Sequence, residues 1–580
     1  MPEGTVAAKE LPRRTIGLSG SEKSIACIQR WLHECDSNHP TCRLGLVGDL
    51  IEAEPQMPTR VIDVVSFDGK KSPRLLETNG LRARYIAVSH SWGTVVKPYT
   101  TMKNIESLKE RIDLENLPKT FYDSIYIARK LEVQYVWIDS ICIIQDNHED
   151  WEREAKIMGL VYEKAYLAIS ASESSGDHAG FLTPNPDVQM EVKLPYQSRS
   201  PAFDYLYLRN RYTGVIAPQR STISHRGWVL QERTLSRRIL HFDGTQAHWE
   251  CSRYRVSEDG DKEDTISNVN TSYYLGQHIR PIAKQKFSSD ISDHTERHEA
   301  LGILYHFYAC KIHEFSDCKL TLASDKLPAI LGLGNEISRG TGIRCLEGHL
   351  MFEEPLFVYS LLWHTEIFGI RGSAIPKQVR APSWSWAAME GTRVFHILGQ
   401  DIKFERRIYL RINRVLEVDA LNLKPYNALE CCGRILAGTK GDPMPGRYGK
   451  GLMGMGSRSF HEQDERFKPP DFAYQLLEPF ELSERRWPRK SDIKGWVCYD
   501  SMEIRPENFL FVPVCAPLAG QEDDHPETTR GCLGLVVVDA PISKQDMALG
   551  ISSTYKRVGF GGVYGMSWVD KKEEVDFLLL

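Results

Sequence analysis

YVWIDSICIIQD, residues 135–146, is a nearly continuous apolar run interrupted by one acid, Asp139, and closed by Gln145 and Asp146. Runs of this kind suit a strand covered on both faces, as in parallel sheets, so the pattern predicts a strand over 135–143. Before it, residues 118–131 predict a helix: Pro118 suits the first turn, and Phe121, Ile125 and Ala128 share a face. Further upstream, YIAVSHSW (85–92) reads as a strand that ends in a turn at Gly93. On the other side a helix is predicted from about His148, capped by Asp146 or Asn147, with Trp151, Ala155, Met158 and Tyr162 on one side. AYLAISA (165–171) is then a third strand. Strand, helix, strand, helix, strand in close succession is the mark of an α/β fold with a parallel sheet and right-handed crossovers.

Away from this core, residues 21–35 carry Ile25, Ile28, Leu32 and Cys35 at helical spacing, with Ser21 as N-cap. Residues 225–251 combine a short helix, Trp228 to Leu235, with a strand around Ile239 to Phe242. The stretch 252–297 is polar and broken, as an insertion or boundary would be, and a helical pattern resumes from 298 to about Gly340. Beyond 380 strands dominate. In LRINRVLEV (410–418) a period of two puts Leu410, Ile412, Leu416 and Val418 on one face. FLFVPVC (509–515) reads as an edge strand because of Pro513, and LGLVVV (533–538) as another strand. Glycine-rich 433–470 reads as a long mobile loop. Trp384 and Trp386 read as a core or interface pair on one face of a strand-like segment. The expected organisation is an N-terminal helical segment (1–50), an α/β domain (51–255, core motifs 85–242), a linker or insertion (256–297), a helical region (298–390) and a mixed, strand-rich C-terminal region (391–580).

A chain of 580 residues predicts more than one domain and can bury large cores without disulfides or metals. Its net charge of −5 gives no global field for nucleic acid, so no nucleic-acid partner is expected. No apolar run approaches the ~20 residues of a membrane span. The beginning, MPEGTVAAKELPRR, lacks an apolar segment and carries Glu3 and Glu10, which speaks against a secretory signal or a mitochondrial presequence. Thirteen cysteines, an odd number, then read as reduced thiols in the cytoplasm, with the nucleus as the alternative.

Several catalytic signatures fail. GDPMPGRY (441–448) frames a phosphate loop but offers Arg-Tyr where Lys-Ser or Lys-Thr is needed, and GLGNEI (332–337) lacks the third glycine of a dinucleotide fingerprint. No G-x-S-x-G elbow or H-E-x-x-H helix is present. WLHECDSNHPTC (31–42) gathers Cys35, His39 and Cys42, ligand types that zinc prefers. A fourth ligand, Cys27 or His33, has no evident spacing, so buried thiols and no bound metal is the preferred reading.

Asp139 lies inside an apolar run, where an acid is costly unless paired. Its bland role is to tie a loop or an arginine. In an open α/β sheet ligands gather beyond the carboxyl ends of the strands, which brings Ser89, His90, Ser91 and Trp92 to the same edge as Asp146. Trp92 could stack on a base or nicotinamide ring or could cover the core, and the core is the safer reading. In HRGWVLQERTLSRR (225–238), helical spacing puts Trp228, Gln231, Glu232 and Leu235 on one face, drawing Glu232 toward apolar surroundings. Such a carboxylate has an arginine partner, Arg226 or Arg233, or a task.

YIAVSHSWG (85–93), LPKTFYDSIYIARKLEVQYVWIDSICIIQD (117–146) and RGWVLQERTLSRRILHF (226–242) together resemble the motifs of the heterokaryon-incompatibility (HET) domain family, in their order. WEREAKIMGLVYEKAYLAISAS (151–172) falls where that family has a helix and its third strand. RAPSWSWAAMEG (380–391) and YKRVGF (555–560) look like elements of full-length HET proteins. The resemblance implies a fungal protein of nonself recognition and programmed cell death, with an incompatibility partner protein or self-association. The family is regarded as a distant relative of the TIR domain, so a TIR-like or flavodoxin-like parallel sheet is expected. Some TIR domains hydrolyse NAD with a glutamate near the ribose, which makes NAD a substrate to consider, with no firm cofactor. On that reading Glu232 is the first candidate catalytic carboxylate and Asp139 the second. Ser89, Trp92 and Trp228 are then pocket residues, and Arg226 meets phosphates. The alternatives are a non-catalytic TIR-like interaction module and an accessory protein of a biosynthetic gene cluster. One departure is His90, where the family commonly has tyrosine. No NACHT-type nucleotide-binding module or repeat array is visible.

Overall fold

The computed structural model describes residues 19–64, 72–93, 100–182, 192–197, 203–208, 221–264, 294–352 and 356–365. It also describes 376, 380–390, 394–396, 406–408, 410–418, 426–434, 436–443, 474–477, 493–499, 506, 508–517, 531–540, 553–564 and 572–580. The chain divides into two compact units, Met1–Lys311 with Cys318–Gly342, and Ile312–Asp317 with Ile343–Leu580.

In the first unit, α1 (Glu22–Asn38) starts at Ser21, whose hydroxyl accepts the Ser24 amide, and buries Ile25, Ile28, Leu32 and Cys35 as the periodicity predicts. Strands β1 (Arg60–Asp63), β2 (Arg74–Glu77) and β3 (Tyr85–Ser89) follow, then the short helix α2 (Ile105–Glu110). Helix α3 (Lys119–Lys130) opens after Pro118 and buries Phe121, Ile125, Ile127 and Ala128. Each large apolar side chain so buried contributes about 1.5–3 kcal/mol of transfer free energy.

Strand β4 is shorter than the apolar run suggested. It covers Tyr135–Trp137, and the chain turns at once into α4 (Asp139–Cys142). The Asp139 carboxylate accepts the Ser140 amide at 2.6 Å, satisfying one of the turn's open donors. Asp139 is therefore at the end of a strand and not in its middle. The rest of the run, Ile138 and Ile141–Ile144, is buried in a turn instead of a strand. Helix α5 (His148–Lys164) is capped by Asn147, and β5 is Leu167–Ser170. Along with Met158 and Tyr162 it buries three acids, Asp150, Glu154 and Glu163. A hairpin of β6 (Val192–Gln197) and β7 (Phe203–Leu208) stands outside the main sheet. Helix α6 (Gly227–Leu235) leads into β8 (Arg238–Phe242), followed by β9 (Ala247–Cys251), β10 (Tyr254–Ser257) and β11 (Lys262–Asp264).

The nine strands order as β11-β10-β9-β8-β5-β3-β4-β1-β2. The four central strands, β8, β5, β3 and β4, are parallel, and the strands on either side of them are antiparallel. The sheet is thus mixed α/β with a parallel centre. The stretch from 252 that reads as an insertion carries two of its strands, the first of them, Tyr254–Ser257, buried at every position; residues 265–293 lie outside the described residues. The chain steps from β3 to β4 on one side, then returns past β3 to β5, so right-handed crossovers put α3 and α5 on opposite faces. Helices α7 (His294–Ser316) and α8 (Lys326–Thr341) follow, the latter ending at Gly342 with φ +75°. Gly332 in α8 lets that helix approach α5 at Gly159, so GLGNEI is a helix-packing segment. Among the described residues no helix is long and apolar enough to cross a membrane.

The second unit holds a ten-stranded, mostly antiparallel sheet among the described residues. Leu410–Val418 is a strand, but a bulge between Ile412 and Arg414 breaks the strict alternation. Asn508–Pro517 is central and not an edge, pairing with three strands; Pro513 is accommodated where the register shifts before Cys515. Of the segment read as a loop, Leu436–Pro443 is a strand, and 444–470 lies outside the described residues. Trp384 and Trp386 are fully buried, in a turn with a 3-10 segment instead of a strand; their indole N–H groups donate to Asn427 O (3.1 Å) and Gly348 O (2.9 Å). The Arg557 amide donates to Ser383 Oγ at 2.9 Å and its guanidinium stacks 3.5 Å over the Trp363 ring, so the 380–390 and 555–558 segments share one core.

Candidate functional site

Taken in chain order the parallel strands are β3, β4, β5 and β8, and in space they run β4-β3-β5-β8. The direction of winding reverses between β3 and β5, and ligands of open α/β sheets bind outside the carboxyl ends at such a point. Ser89 and Ser170 are the last residues of those two strands, paired with each other. A small pocket opens there, lined among others by Ser89, Ser170, Tyr162, Ser224, Glu232 and His241. Its volume is enough for about one water.

Glu232 reaches this pocket from α6 and is buried. Burial raises its pKa to about 7, against the opposing pull of Ser89 and Arg226, with Asp139 adding to the rise. The Ser89 hydroxyl is near enough to favour the charged carboxylate, yet Ser89 Oγ and Glu232 Oε2 both lack a well-formed hydrogen bond. The Tyr162 hydroxyl donates to Val88 O at 3.0 Å. Burial lifts its pKa, with Glu232 and Asp139 contributing.

Beside Glu232 stands a second set of charges. His90 Nε2 lies 3.1 Å from Asp177 Oδ1 and 3.7 Å from Asp139 Oδ1. Burial lowers the His90 pKa, but the two carboxylates outweigh it and the net shift is upward. Arg226 donates from Nη1 to the His90 carbonyl, and the Trp92 indole N–H donates to Asp139 Oδ2 at 3.0 Å. Gly93 makes this arrangement possible. Its φ is +81°, and a Cβ on the facing Gly176 would lie 2.9 Å from the Gly93 Cα. Only two glycines let the 90–93 turn lie so close to the loop that carries Asp177.

The structure therefore brings together Ser89, Trp92, Asp139, Arg226 and Glu232. It does not add Trp228, whose indole N–H points to Asp325 Oδ2 at 3.2 Å and whose ring meets Trp151 edge-on. Helical spacing put Trp228 and Glu232 on one face, but α8 covers the indole side of α6. Asp177, Tyr162 and Ser170 belong to the site and were not anticipated. The signal for Asp177 was its place in the loop after the third parallel strand.

Behind the pocket a buried relay continues from Ser172 to His241 Nδ1 (3.4 Å) and from His241 Nε2 to Glu250 (2.8 Å). Burial drops the His241 pKa to about 4. Burial also works against the Glu250 charge, but Arg233 and Arg255 hold its pKa well below the usual carboxylate range. Glu250 and not Glu232 is thus the partner of Arg233. Cys35, His39 and Cys42 are buried together at the end of α1. They lie toward the amino ends of the parallel strands, since Arg238, which opens β8, donates to Cys35 Sγ.

The first unit is thus a mixed α/β domain with a parallel centre and a polar cluster at its switch point, the place where open sheets bind ligands. Residues 85–232 match the family model for the heterokaryon incompatibility protein (HET), from the first residue of β3 to Glu232 itself. This segment, about a quarter of the chain, is thus similar to the HET domain. Comparison with curated proteins and with solved structures gave no match.

Proposed function

We propose that the protein acts in the cytoplasm in fungal nonself recognition, as a cell-death effector whose working site is the Glu232 cluster and whose substrate is NAD. The observation that carries this reading is a buried carboxyl with a pKa near 7 at the switch point, beside the Arg226 cation. The β4-β3-β5-β8 order supports a TIR-like or flavodoxin-like sheet. Hydrolysis of NAD breaks the bond from ribose to nicotinamide; the nicotinamide leaves with the bonding electrons, and water adds to the oxocarbenium-like carbon. A placed carboxylate offsets that developing positive charge in a site that excludes bulk water. Glu232 is the catalytic carboxylate, Asp139 with Trp92 shapes the adjoining wall, and Arg226 offers a phosphate contact. In the described conformation the pocket holds about one water, so entry of NAD requires the 221–224 wall to move.

A second reading, a non-catalytic TIR-like module that self-associates or binds an incompatibility partner, is favoured by a different observation. His90, Asp139, Asp177, Arg226 and Trp92 already engage one another through ion pairs and hydrogen bonds. The deciding experiment incubates the full chain at high concentration with NAD and follows nicotinamide release beside a Glu232→Gln variant. Release by the wild type alone, from two folded proteins, supports the effector reading, and the rate should rise with pH through about 7 as Glu232 ionises. No release from either supports the interaction module.

A further inference from the structure

Four soft or borderline ligands meet at one point that the HET motifs do not include. Cys35 lies in the last turn of α1, His39 is the residue that ends that helix, and Cys42 lies in the 3-10 turn after it. The fourth is Cys251, the last residue of β9, more than 200 positions further along the chain. Neither Cys27 nor His33 takes that place: Cys27 accepts from Arg30 at 3.1 Å, and His33 is exposed. Sequence spacing could not supply the fourth ligand because only the sheet brings β9 to the end of α1.

We propose that Cys35, His39, Cys42 and Cys251 form a structural zinc site. All four are buried, and their ligand atoms lie within 4.8 Å of one another. A tetrahedral zinc with three sulfurs and one imidazole nitrogen has ligand–ligand edges of about 3.6–3.8 Å. The Cys251 Sγ to His39 Nδ1 distance of 3.7 Å is already such an edge. All three cysteines are free thiols, and a disulfide between any two would leave the third beside an imidazole aimed at it. Buried thiols gathered only for packing have no reason to enclose a histidine nitrogen. Thiolate and imidazole select zinc over calcium or magnesium, which take oxygen ligands.

The surroundings fit the charge. Zinc with three thiolates and a neutral imidazole carries one net negative charge. Arg238, which pairs in register with Cys251 across β8 and β9, is buried and donates from Nε to Cys35 Sγ at 3.2 Å. The Tyr254 ring packs edge-on against His39 at 5.2 Å. Donors to sulfur and a packed imidazole are the supports that orient metal ligands. With four protein ligands and no open position, the site is structural and not catalytic. It fastens the N-terminal helix to the sheet on the far side of the matched residues 85–232, so the folded unit includes segments before and after them.

The test is metal content and cobalt substitution on the full-length protein, prepared under reducing conditions. About one zinc per chain is expected, falling at least tenfold in Cys42→Ser and Cys251→Ser and unchanged in Cys27→Ser. Apoprotein titrated with cobalt should saturate at about one equivalent, with thiolate-to-cobalt charge-transfer and tetrahedral d–d absorption of a three-sulfur site. Wild-type apoprotein that shows no such saturation overturns the proposal, even if the serine variants fail to fold. So does zinc that persists in both of those variants, or a disulfide among the three cysteines of the reduced protein.

Discussion

Replacing Glu232 with glutamine tests the site without assuming any substrate. The gap between the ordinary value of 4.5 and about 7, at roughly 1.4 kcal/mol for each tenfold change in acidity, makes ionisation of Glu232 inside the fold ~3 kcal/mol harder than in the unfolded chain. Glutamine keeps the shape and cannot ionise. The sign follows from proton binding. Below pH 4.5 the carboxyl is neutral in both states, and wild type and variant should agree within about 1 kcal/mol. Between 4.5 and about 7 the unfolded chain gives up its proton while the folded one keeps it, so wild-type stability falls as pH rises. Above 7 the difference levels off, with the variant ahead by up to ~3 kcal/mol, a figure that already includes the opposing pull of Ser89 and Arg226. The assay is thermal or urea unfolding of both proteins from pH 4 to 8.5, read at the transition that the substitution moves, since a chain of two units need not melt as one. At about 2–4 °C per kcal/mol the expected separation is several degrees at high pH. A difference that stays flat with pH, or a wild type that gains on the variant as pH rises, would falsify the claim that burial dominates at Glu232.

Arg60→Ala should destabilise the first unit by about 3 kcal/mol, because Asp150 and Glu154 then lose their buried cation and keep only the more exposed Arg153; urea midpoints check this, and a loss under 1 kcal/mol contradicts it. Asp177→Asn should lower the His90 pKa, read by imidazole NMR titration. Its stability cost should be largest below about pH 6.5 and fade as pH rises through the folded His90 pKa, because a raised histidine stabilises only while protonated. Gly332→Ala should lose about 1–2 kcal/mol despite alanine's better helix propensity, since its Cβ would sit 2.1 Å from Oε1 of the fully buried Gln231. A variant that melts higher than wild type would show that Gln231 has room to move.

What the sequence decided about this protein are its local, periodic features. The α3 and α5 helices, the Ser21 and Asn147 caps, strands β3, β5 and β8, and the short helix carrying Glu232 were legible because each depends on neighbours within a few positions. The sequence also drew Ser89 and Trp92 to the carboxyl edge of the sheet, because residues after parallel strands share that edge whatever the strand order, whereas Glu232, Arg226 and Asp139 joined them only through the family resemblance. The rest required tertiary structure. An apolar run does not say where its strand stops, and at Asp139 a side-chain bond to Ser140 turned the chain early. Helical spacing put Trp228 with Glu232, but which side of α6 would be covered by α8 was decided by a helix nearly a hundred residues away. Pro513 reads as an edge residue until a register shift in the middle of the sheet makes room for it. The fourth ligand of the zinc site is the plainest case: Cys251 stands beside Cys35, His39 and Cys42 because β9 pairs with β8 in one register, and that pairing is a property of the sheet.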